Sequence, residues 1–212
     1  PRMTAQTPVP ATGPFAESSR LGRFIVLSGT RALDASGQIV GKGDVRAQTR
    51  EVLEQLKAAA GRAGVGLERA AKVNVYLRRA GDFAAMNEVY RTVFTADPPA
   101  RTTVVTALGH PEALVEIGMV VVAAGEPREV IHPAGWVKSP NPYSYGIRSG
   151  DTLFLAGLVS RRGVDNSPVA GDTTVQTHAV LENAKAILAA GGMSLADVVS
   201  SPVARMSSTT SG

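Results

Sequence analysis

Cysteine is absent from the chain, which excludes disulfide bonds, thiolate metal ligands and a cysteine nucleophile. Long apolar runs are absent as well: the longest spans residues 119–124, far short of the roughly 20 residues that a membrane-spanning helix needs. Residues 1–14 lack the apolar core of a secretory signal peptide. We therefore expect a cytoplasmic protein with no membrane partner.

A strong charge of one sign is also missing. The 212 residues carry 22 Lys and Arg against 18 Asp and Glu, a net charge of +4. The basic side chains are scattered and form doublets at Arg78-Arg79 and Arg161-Arg162 alone, so a nucleic-acid partner is not expected. His110, His132 and His178 do not cluster with carboxylates at metal-ligand spacing, and no metal site is predicted.

An internal repeat organises the chain. A shift of 128 positions aligns its two ends without a gap, and such self-similarity indicates two copies of one structural unit. We therefore predict a complete unit at residues 1–125 and an incomplete second unit at residues 126–212. The aligned identities include Pro14 with Pro142, Leu27 with Leu155, Gly29 with Gly157, Gly43-Asp44 with Gly171-Asp172, Gln48-Thr49 with Gln176-Thr177, and Val52-Leu53-Glu54 with Val180-Leu181-Glu182.

The first unit mixes strand and helix patterns. Asp44 is placed to cap a helix that ends near Ala63, and Asp82 to cap a second helix. Their order with the strands, ββαβαββ, predicts an α+β fold: a mixed sheet with two helices on one face and a bare opposite face that favours self-association. Strands are predicted at residues 24–28, 38–40, 72–77, 102–108 and 114–123.

Two charged residues are candidates for binding and catalysis. Arg101 follows the rigid Pro98-Pro99 segment, and a guanidinium held this way can grip a carboxylate through two parallel hydrogen bonds. Glu116 lies in the most apolar strand, on the face opposite Val115 and Ile117, where a partly desolvated carboxylate suits proton transfer. The pattern leaves two other interpretations open: a surface arginine at a strand end, and a solvated glutamate on an edge strand.

Two polar residues are weaker candidates. Ser28 follows an apolar strand and precedes Gly29, so it can orient a polar ligand or simply serve in a turn. Asn87 lies between Met86 and Tyr90 on the second predicted helix, where it can bridge to a loop or face solvent.

In their order and spacing, short motifs of the first unit resemble the Rid family, the YjgF-like reactive-intermediate deaminases. The resemblance covers nearly all of that unit. The motifs are Gly13-Pro14-Phe15, Leu27-Ser28-Gly29, Gly43-Asp44 with Ala47-Gln48-Thr49, Val52-Leu53, Lys72-Val73, Asp82-Phe83 with Met86-Asn87 and Tyr90, Pro99-Ala100-Arg101, and Val115-Glu116-Ile117.

The resemblance implies a chorismate-mutase-like fold, assembled as a homo-oligomeric trimer with clefts between subunits. It also implies hydrolysis of 2-imino acids or their enamines, such as iminopropanoate derived from 2-aminoacrylate, to 2-oxo acids and ammonia without a cofactor. By the same resemblance, Arg101 binds the substrate carboxylate, Glu116 handles water, and backbone groups near Thr103 contact the substrate nitrogen. Residues matching Ser28 and Asn87 line or brace the cleft.

Three positions depart from the family pattern. Phe15 stands where a tyrosine is familiar, Thr103 where cysteine is frequent, and Gly118 where a second glutamate is frequent. These changes bear on the substrate more than on the fold. The predicted site comprises Arg101 and Glu116 as catalytic residues and Phe15, Ser28, Asn87 and Thr103 as substrate-binding residues.

The second unit supplies Tyr143 at the position of Phe15 but ends before any counterpart of Arg101 or Glu116. Residues 207–212 break the repeat pattern, and a one-base frameshift would restore an Asp-Phe pair at the aligned position, so we hypothesise a truncated tandem protein. Half a unit exposes a helix face and a sheet edge. We therefore expect it to dock on another chain or to be poorly ordered.

Three functions stay open at this point. The first is hydrolysis of imines or enamines. The second is non-catalytic binding or sensing of a small carboxylate in the same cleft. The third is a nucleic-acid-directed or chaperone-like activity, which the scattered charge disfavours.

Overall fold

A five-stranded mixed sheet forms the larger part of the computed structural model, which describes residues 16–203. The predicted Phe15 and the hypothesised frameshift at residues 207–212 lie outside the described residues. Across the sheet the strand order is β1-β2-β5-β3-β4, with β3 and β4 parallel and the other neighbours antiparallel. The strands are β1 (Ser18–Leu21), β2 (Phe24–Thr30), β3 (Ala70–Leu77), β4 (Ala100–Val105) and β5 (Val115–Val122).

Two helices cover one face of this sheet, α1 (Val45–Arg62) and α2 (Phe83–Val93). The Asp44 carboxylate accepts hydrogen bonds from the backbone of Arg46 and Ala47, which satisfies amide groups that the start of a helix leaves without partners. The α+β class, with two helices on one face of a mixed sheet, is therefore confirmed. No helix in residues 16–203 is long and apolar enough to cross a bilayer. The core between helices and sheet includes Val52, Leu53, Leu56, Val73, Val75, Met86, Tyr90, Ile117 and Met119.

The first strand of the sheet differs from the prediction. Residues 38–40 form no extended strand: the Asp34 carboxylate accepts from the backbone of Ser36 and Gln38, and after this turn Ile39 forms only an isolated antiparallel bridge with Leu33. The strand that completes the order is β1, which pairs with β2 across a turn with Gly22 at φ +58°. That left-handed conformation favours glycine.

The start of α2 also differs from the prediction. Asp82 makes no side-chain capping hydrogen bond, because it closes a short 3-10 turn at Ala80–Asp82 and is itself close to helical geometry. Its carboxylate pairs with Arg79 instead, at 3.0 Å.

The second unit repeats the opening elements of the first. A small antiparallel sheet contains β6 (Glu129–Ile131), β7 (Gly146–Ser149) and β8 (Thr152–Leu155), and α3 (Thr173–Ala190) follows. A shift of 128 positions places β1 on β7 and α1 on α3 with both ends coinciding. Asp172 caps α3 through the backbone of Val175, as Asp44 caps α1.

The small sheet packs on the face of the large sheet that the helices leave uncovered. Lys72 on that face donates to Thr102 Oγ1 at 2.7 Å and to the Leu155 carbonyl at 2.6 Å. For the described residues, the expectation of docking on another chain or of poor order is therefore wrong: the apolar face of the same chain's first unit receives the second. The shared apolar cluster contains Ala71, Ala100, Val122, Ile147 and Ala156.

The second unit also pairs with the outer edge of β4. Ser144 bridges to Ala100 in parallel, and the Gly157 amide donates to the Arg101 carbonyl at 3.0 Å. β4 is the last strand of its sheet, so these bonds occupy backbone groups that an edge strand otherwise exposes. A side chain at Gly157 would crowd this contact, because its Cβ would lie 3.0 Å from Thr102 Cγ2.

Candidate functional site

Arg101 is buried between β4 and α2. Only 4% of the residue is exposed, and its Nη1 donates to Asn87 Oδ1 at 2.7 Å. The guanidinium carbon lies 4.7 Å from the centroid of the Tyr90 ring and 5.8 Å from that of Phe83, so the cation rests against aromatic faces. The register explains the position: Arg101 pairs with Val73 on β3, and Val73 points into the core.

The charge of Arg101 has no carboxylate partner within residues 16–203, where none of the salt bridges includes it. Its side chain makes one hydrogen bond there, to Asn87, although a guanidinium carries five N–H donors. Burial lowers the pKa of Arg101. A buried cation with free donors is costly unless an anion joins it, which makes this position suited to a carboxylate ligand.

Two further buried polar atoms on the elements flanking Arg101 lack partners within the described chain, the Tyr90 hydroxyl and Thr103 Oγ1. Thr103 pairs with Val75 and lies on the same face of β4 as Arg101. Burial raises the pKa of Tyr90, so its hydroxyl stays protonated and able to donate. Unpaired buried polar groups are rare, and these two add hydrogen-bonding capacity beside the guanidinium.

The second unit covers Arg101 from the outside. Asn87 Nδ2 donates to Asn141 Oδ1 at 3.4 Å, and Arg91 fixes the same segment by donating to the Pro140 carbonyl at 2.7 Å. Tyr143 lies close enough that its charge state affects the pKa of Arg101. The residues that surround Arg101 therefore come from both units of the chain.

Glu116 forms a separate polar group with residues of β2. Its Oε2 lies 3.6 Å from Arg31 Nε, with 27% of the glutamate side chain and 31% of the arginine side chain exposed. Gly29 allows the close approach, because a Cβ there would lie 2.7 Å from Glu116 Oε1. Ser28 is adjacent, and its hydroxyl donates to the Ala16 carbonyl at 2.5 Å.

Arg101 and Glu116 lie on opposite faces of the sheet in one chain. Arg101 pairs with Val73, which faces the core, and Glu116 pairs with Tyr76, which faces the other way. β4 and β5 lie on either side of β3, so two strand spacings separate them across the sheet. Their partners Val73 and Tyr76 are three residues apart along β3, which puts the Cα atoms of Arg101 and Glu116 about 14 Å apart in the plane of the sheet. The chain thus brings Arg101 together with Asn87 and Glu116 together with Arg31, as two separate groups, while Thr103 shares the face of Arg101 and the Ser28 hydroxyl bonds to the Ala16 carbonyl.

Sequence reasoning missed two contributors to the cleft. Tyr90 is one of them: its ring lies against Arg101, and its position one helical turn from Asn87 is the signal that could have found it. Asn141 lies in the second unit, and nothing in its local sequence links it to Asn87.

Comparison with known proteins identifies the class to which this fold and site belong. The sequence model of the family described as Endoribonuclease L-PSP matches residues 5–123 and 136–204, which together make up most of the chain. The chain belongs to this family. The match in two segments is consistent with a tandem arrangement.

Curated relatives correspond to one unit of this chain. A RutC family protein of Pyrococcus horikoshii is 41% identical over 115 residues, covering 54% of this chain and 90% of that protein. An Acinetobacter baylyi protein named 3-aminoacrylate deaminase RutC is 35% identical over 111 residues, covering 52% of this chain and 88% of that protein.

Solved structures likewise match about half of this chain and most of their own length. RidA from an Antarctic Psychrobacter species has a TM-score of 0.50 and 30% identity, covering 57% of this chain and 99% of its own. A Rid-family protein of unknown function from Yersinia pestis has a TM-score of 0.50 and 26% identity, covering 53% and 90%. The resemblance to Rid proteins inferred from the motifs is confirmed.

Proposed function

We propose that this protein hydrolyses reactive 2-imino acids, or the enamines in equilibrium with them, to 2-oxo acids and ammonia. The observation that carries the proposal is the burial of Arg101 at 4% exposure without a carboxylate partner in the described chain. A small organic acid would supply the missing anion. The relative named 3-aminoacrylate deaminase supports deamination as the reaction class.

The chemistry needs few groups. An imine carbon becomes electrophilic when its nitrogen is protonated, so water can add to C2 and form a carbinolamine. Transfer of a proton to the nitrogen then lets the C–N bond break, which releases ammonia and leaves the 2-oxo acid. One water is consumed and no electrons are exchanged, so the protein has to hold the substrate and direct the water.

We assign the carboxylate clamp to Arg101, oriented by Asn87, because two parallel N–H donors match the two oxygens of a carboxylate. Glu116 is assigned to the water as the acid–base group. Thr103 and Ser28 are assigned to the lining of the cleft. Because Arg101 and Glu116 lie on opposite faces of one sheet, the proposal requires a second chain to bring a Glu116 to an Arg101, as a homo-oligomer such as a trimer would.

The division into a unit at residues 1–125 and a unit at residues 126–212 belongs to this proposal. The coinciding bounds of β1 with β7 and of α1 with α3 support it.

A second candidate is binding of a carboxylate without turnover. The separation of Arg101 from Glu116 within the chain favours it, since the clamp alone suffices to bind. The two candidates share the Arg101 cleft and differ in the need for Glu116.

The test is ammonia release from 2-iminopropanoate and 2-iminobutanoate generated in the assay, measured above the spontaneous rate. We expect the native chain to accelerate release and Arg101→Lys to return it to the spontaneous rate, because an ammonium lacks the planar fork. Arg20→Lys is the matched control, since Arg20 is exposed on β1 and bonds to Gly22.

Thermal unfolding of each variant excludes loss of fold as the cause. Saturable binding of a 2-oxo acid without acceleration of ammonia release would establish the second candidate instead. Absence of both binding and turnover in the folded native chain would contradict both.

A further inference from the structure

A cavity of about 190 Å³ lies in the second unit beside Asn141, the residue that contacts Asn87. Its wall is partly polar and partly apolar and comes entirely from the second unit, with Ser139, Asn141, Tyr143 and Arg161 as polar contributors. Nothing in the proposed hydrolysis of a small imino acid uses this space.

The cavity is connected to Arg101 through two side-chain amides. Asn141, which lines the cavity, accepts from Asn87, and Asn87 accepts from the guanidinium of Arg101. Tyr143 lines the cavity and also lies near Arg101. The 3.4 Å bond between the two asparagines is long for a hydrogen bond, so a ligand oxygen can replace the Asn141 amide at little cost.

Arg161 brings a second cation to the far wall. Its backbone is fixed on both sides: its amide donates to the Val159 carbonyl at 2.8 Å, and its carbonyl accepts from Asn183 at 2.6 Å. Its Nη1 donates to the Asn166 carbonyl, which holds the guanidinium at the cavity.

The charge of Arg161 is uncompensated within residues 16–203, where it takes part in no salt bridge. The nearest acid along the loop, Asp165, is engaged by the Ser167 hydroxyl and amide. Two arginines without carboxylate partners therefore flank the Asn87–Asn141 connection, one buried and one at the cavity.

We propose that the site selects 2-imino or 2-oxo acids with a second carboxylate at the far end of the side chain, with the first carboxylate on Arg101 and the second on Arg161. This inference rests on the proposed function, because it takes the carboxylate clamp at Arg101 as given. It names the substrate class as dicarboxylic.

The test compares two stable five-carbon acids, 2-oxopentanoate and 2-oxoglutarate, which differ by the terminal carboxylate. Calorimetric titration of the full chain at low salt gives both affinities. We expect 2-oxoglutarate to bind about tenfold more tightly, a difference of about 1.4 kcal/mol, and Arg161→Gln to abolish that preference while leaving 2-oxopentanoate affinity unchanged. Arg162→Gln is the matched control, with the same change in charge one residue away and outside the lining of this cavity.

The outcomes distinguish failure of the carboxylate clamp at Arg101 from failure of dicarboxylate selection by Arg161. Equal affinity of the native chain for both acids, or a preference that survives Arg161→Gln, overturns the dicarboxylate inference while the clamp at Arg101 stands. Failure of the native chain to bind either acid overturns the clamp and the inference together. A preference lost equally in Arg161→Gln and Arg162→Gln overturns the assignment to Arg161, because net charge alone then explains it.

Discussion

Arg101 and Asn87 form a buried hydrogen-bonded pair that joins β4 to α2. The Nη1 to Oδ1 distance is 2.7 Å, and the residues are 4% and 5% exposed. Asn87 is neutral, so it orients the guanidinium without cancelling its charge. The residue that orients the Arg101 guanidinium is therefore not one that neutralises its charge. A substitution at position 87 can test whether that uncompensated charge binds a ligand.

Asn87→Asp should abolish carboxylate binding while preserving the fold. The new carboxylate would pair with Arg101, and a charged hydrogen bond of about 1.5–3 kcal/mol predicts a loss of 2-oxopentanoate affinity of at least about tenfold. Calorimetric titration and thermal unfolding measure the two effects. Asn87→Ala provides the contrast, with about 1–3 kcal/mol of stability lost because buried donors are left without an acceptor. Unchanged affinity in Asn87→Asp would contradict the clamp.

Glu116→Gln should remove turnover and leave binding intact. The amide keeps the shape of the side chain but cannot accept a proton from water, so ammonia release should fall to the spontaneous rate. The ion pair with Arg31 spans 3.6 Å at a partly exposed position, so stability should change by less than about 1 kcal/mol. Full turnover in this variant would exclude Glu116 from the reaction.

Gly29→Ala should impair turnover without changing any charge. The added Cβ would lie 2.7 Å from Glu116 Oε1 and force the carboxylate to move. A misplacement of about 1 Å can cost about a hundredfold in rate, so we expect ammonia release to fall by at least about tenfold. Gly61→Ala is the control, because a Cβ at this position of α1 meets nothing within 4 Å. Equal rates in the two variants would argue against a catalytic position for Glu116.

Lys72 should make stability depend on alkaline pH. Burial lowers its pKa to about 8 from 10.5. Between these values the unfolded chain holds a proton that the folded chain has released, so stability rises with pH across this window. The shift corresponds to up to about 3 kcal/mol. Urea unfolding at pH 7.5 and 10 should show this rise in the native chain but not in Lys72→Met, and parallel pH profiles would refute the assignment.

Gly157→Val should loosen the second unit from the first. The Gly157 amide bonds to the Arg101 carbonyl, and a larger side chain would collide with Thr102. Hydrogen exchange should accelerate in β7 and β8 while the core strand β3 keeps its protection. Gly81→Val serves as a control, because a Cβ there meets nothing within 4 Å and the backbone is not in the left-handed region. Uniform protection in Gly157→Val would show that the contact contributes little to docking.

Local signals predicted most of the first unit. Asp44 followed by apolar residues at helical spacing defined α1, and alternation defined β3, because both patterns depend on neighbours in the chain. Residues 38–40 show the limit: the sequence pattern predicts a strand, but Ile39 forms only an isolated bridge with Leu33. Arg101 bonds to Asn87 within the first unit, whereas the contribution of Asn141 depends on a contact between units.

The sequence by itself determined the α+β unit, its repeat at a distance of 128 residues and the residue types able to bind a carboxylate. Only the tertiary structure decided that the second unit docks on its own chain, and that Arg101 and Glu116 occupy opposite faces. The reason is physical. Periodicity reports which side of an element is apolar, whereas the register between distant strands and the packing of one sheet on another arise from contacts between residues far apart in the chain.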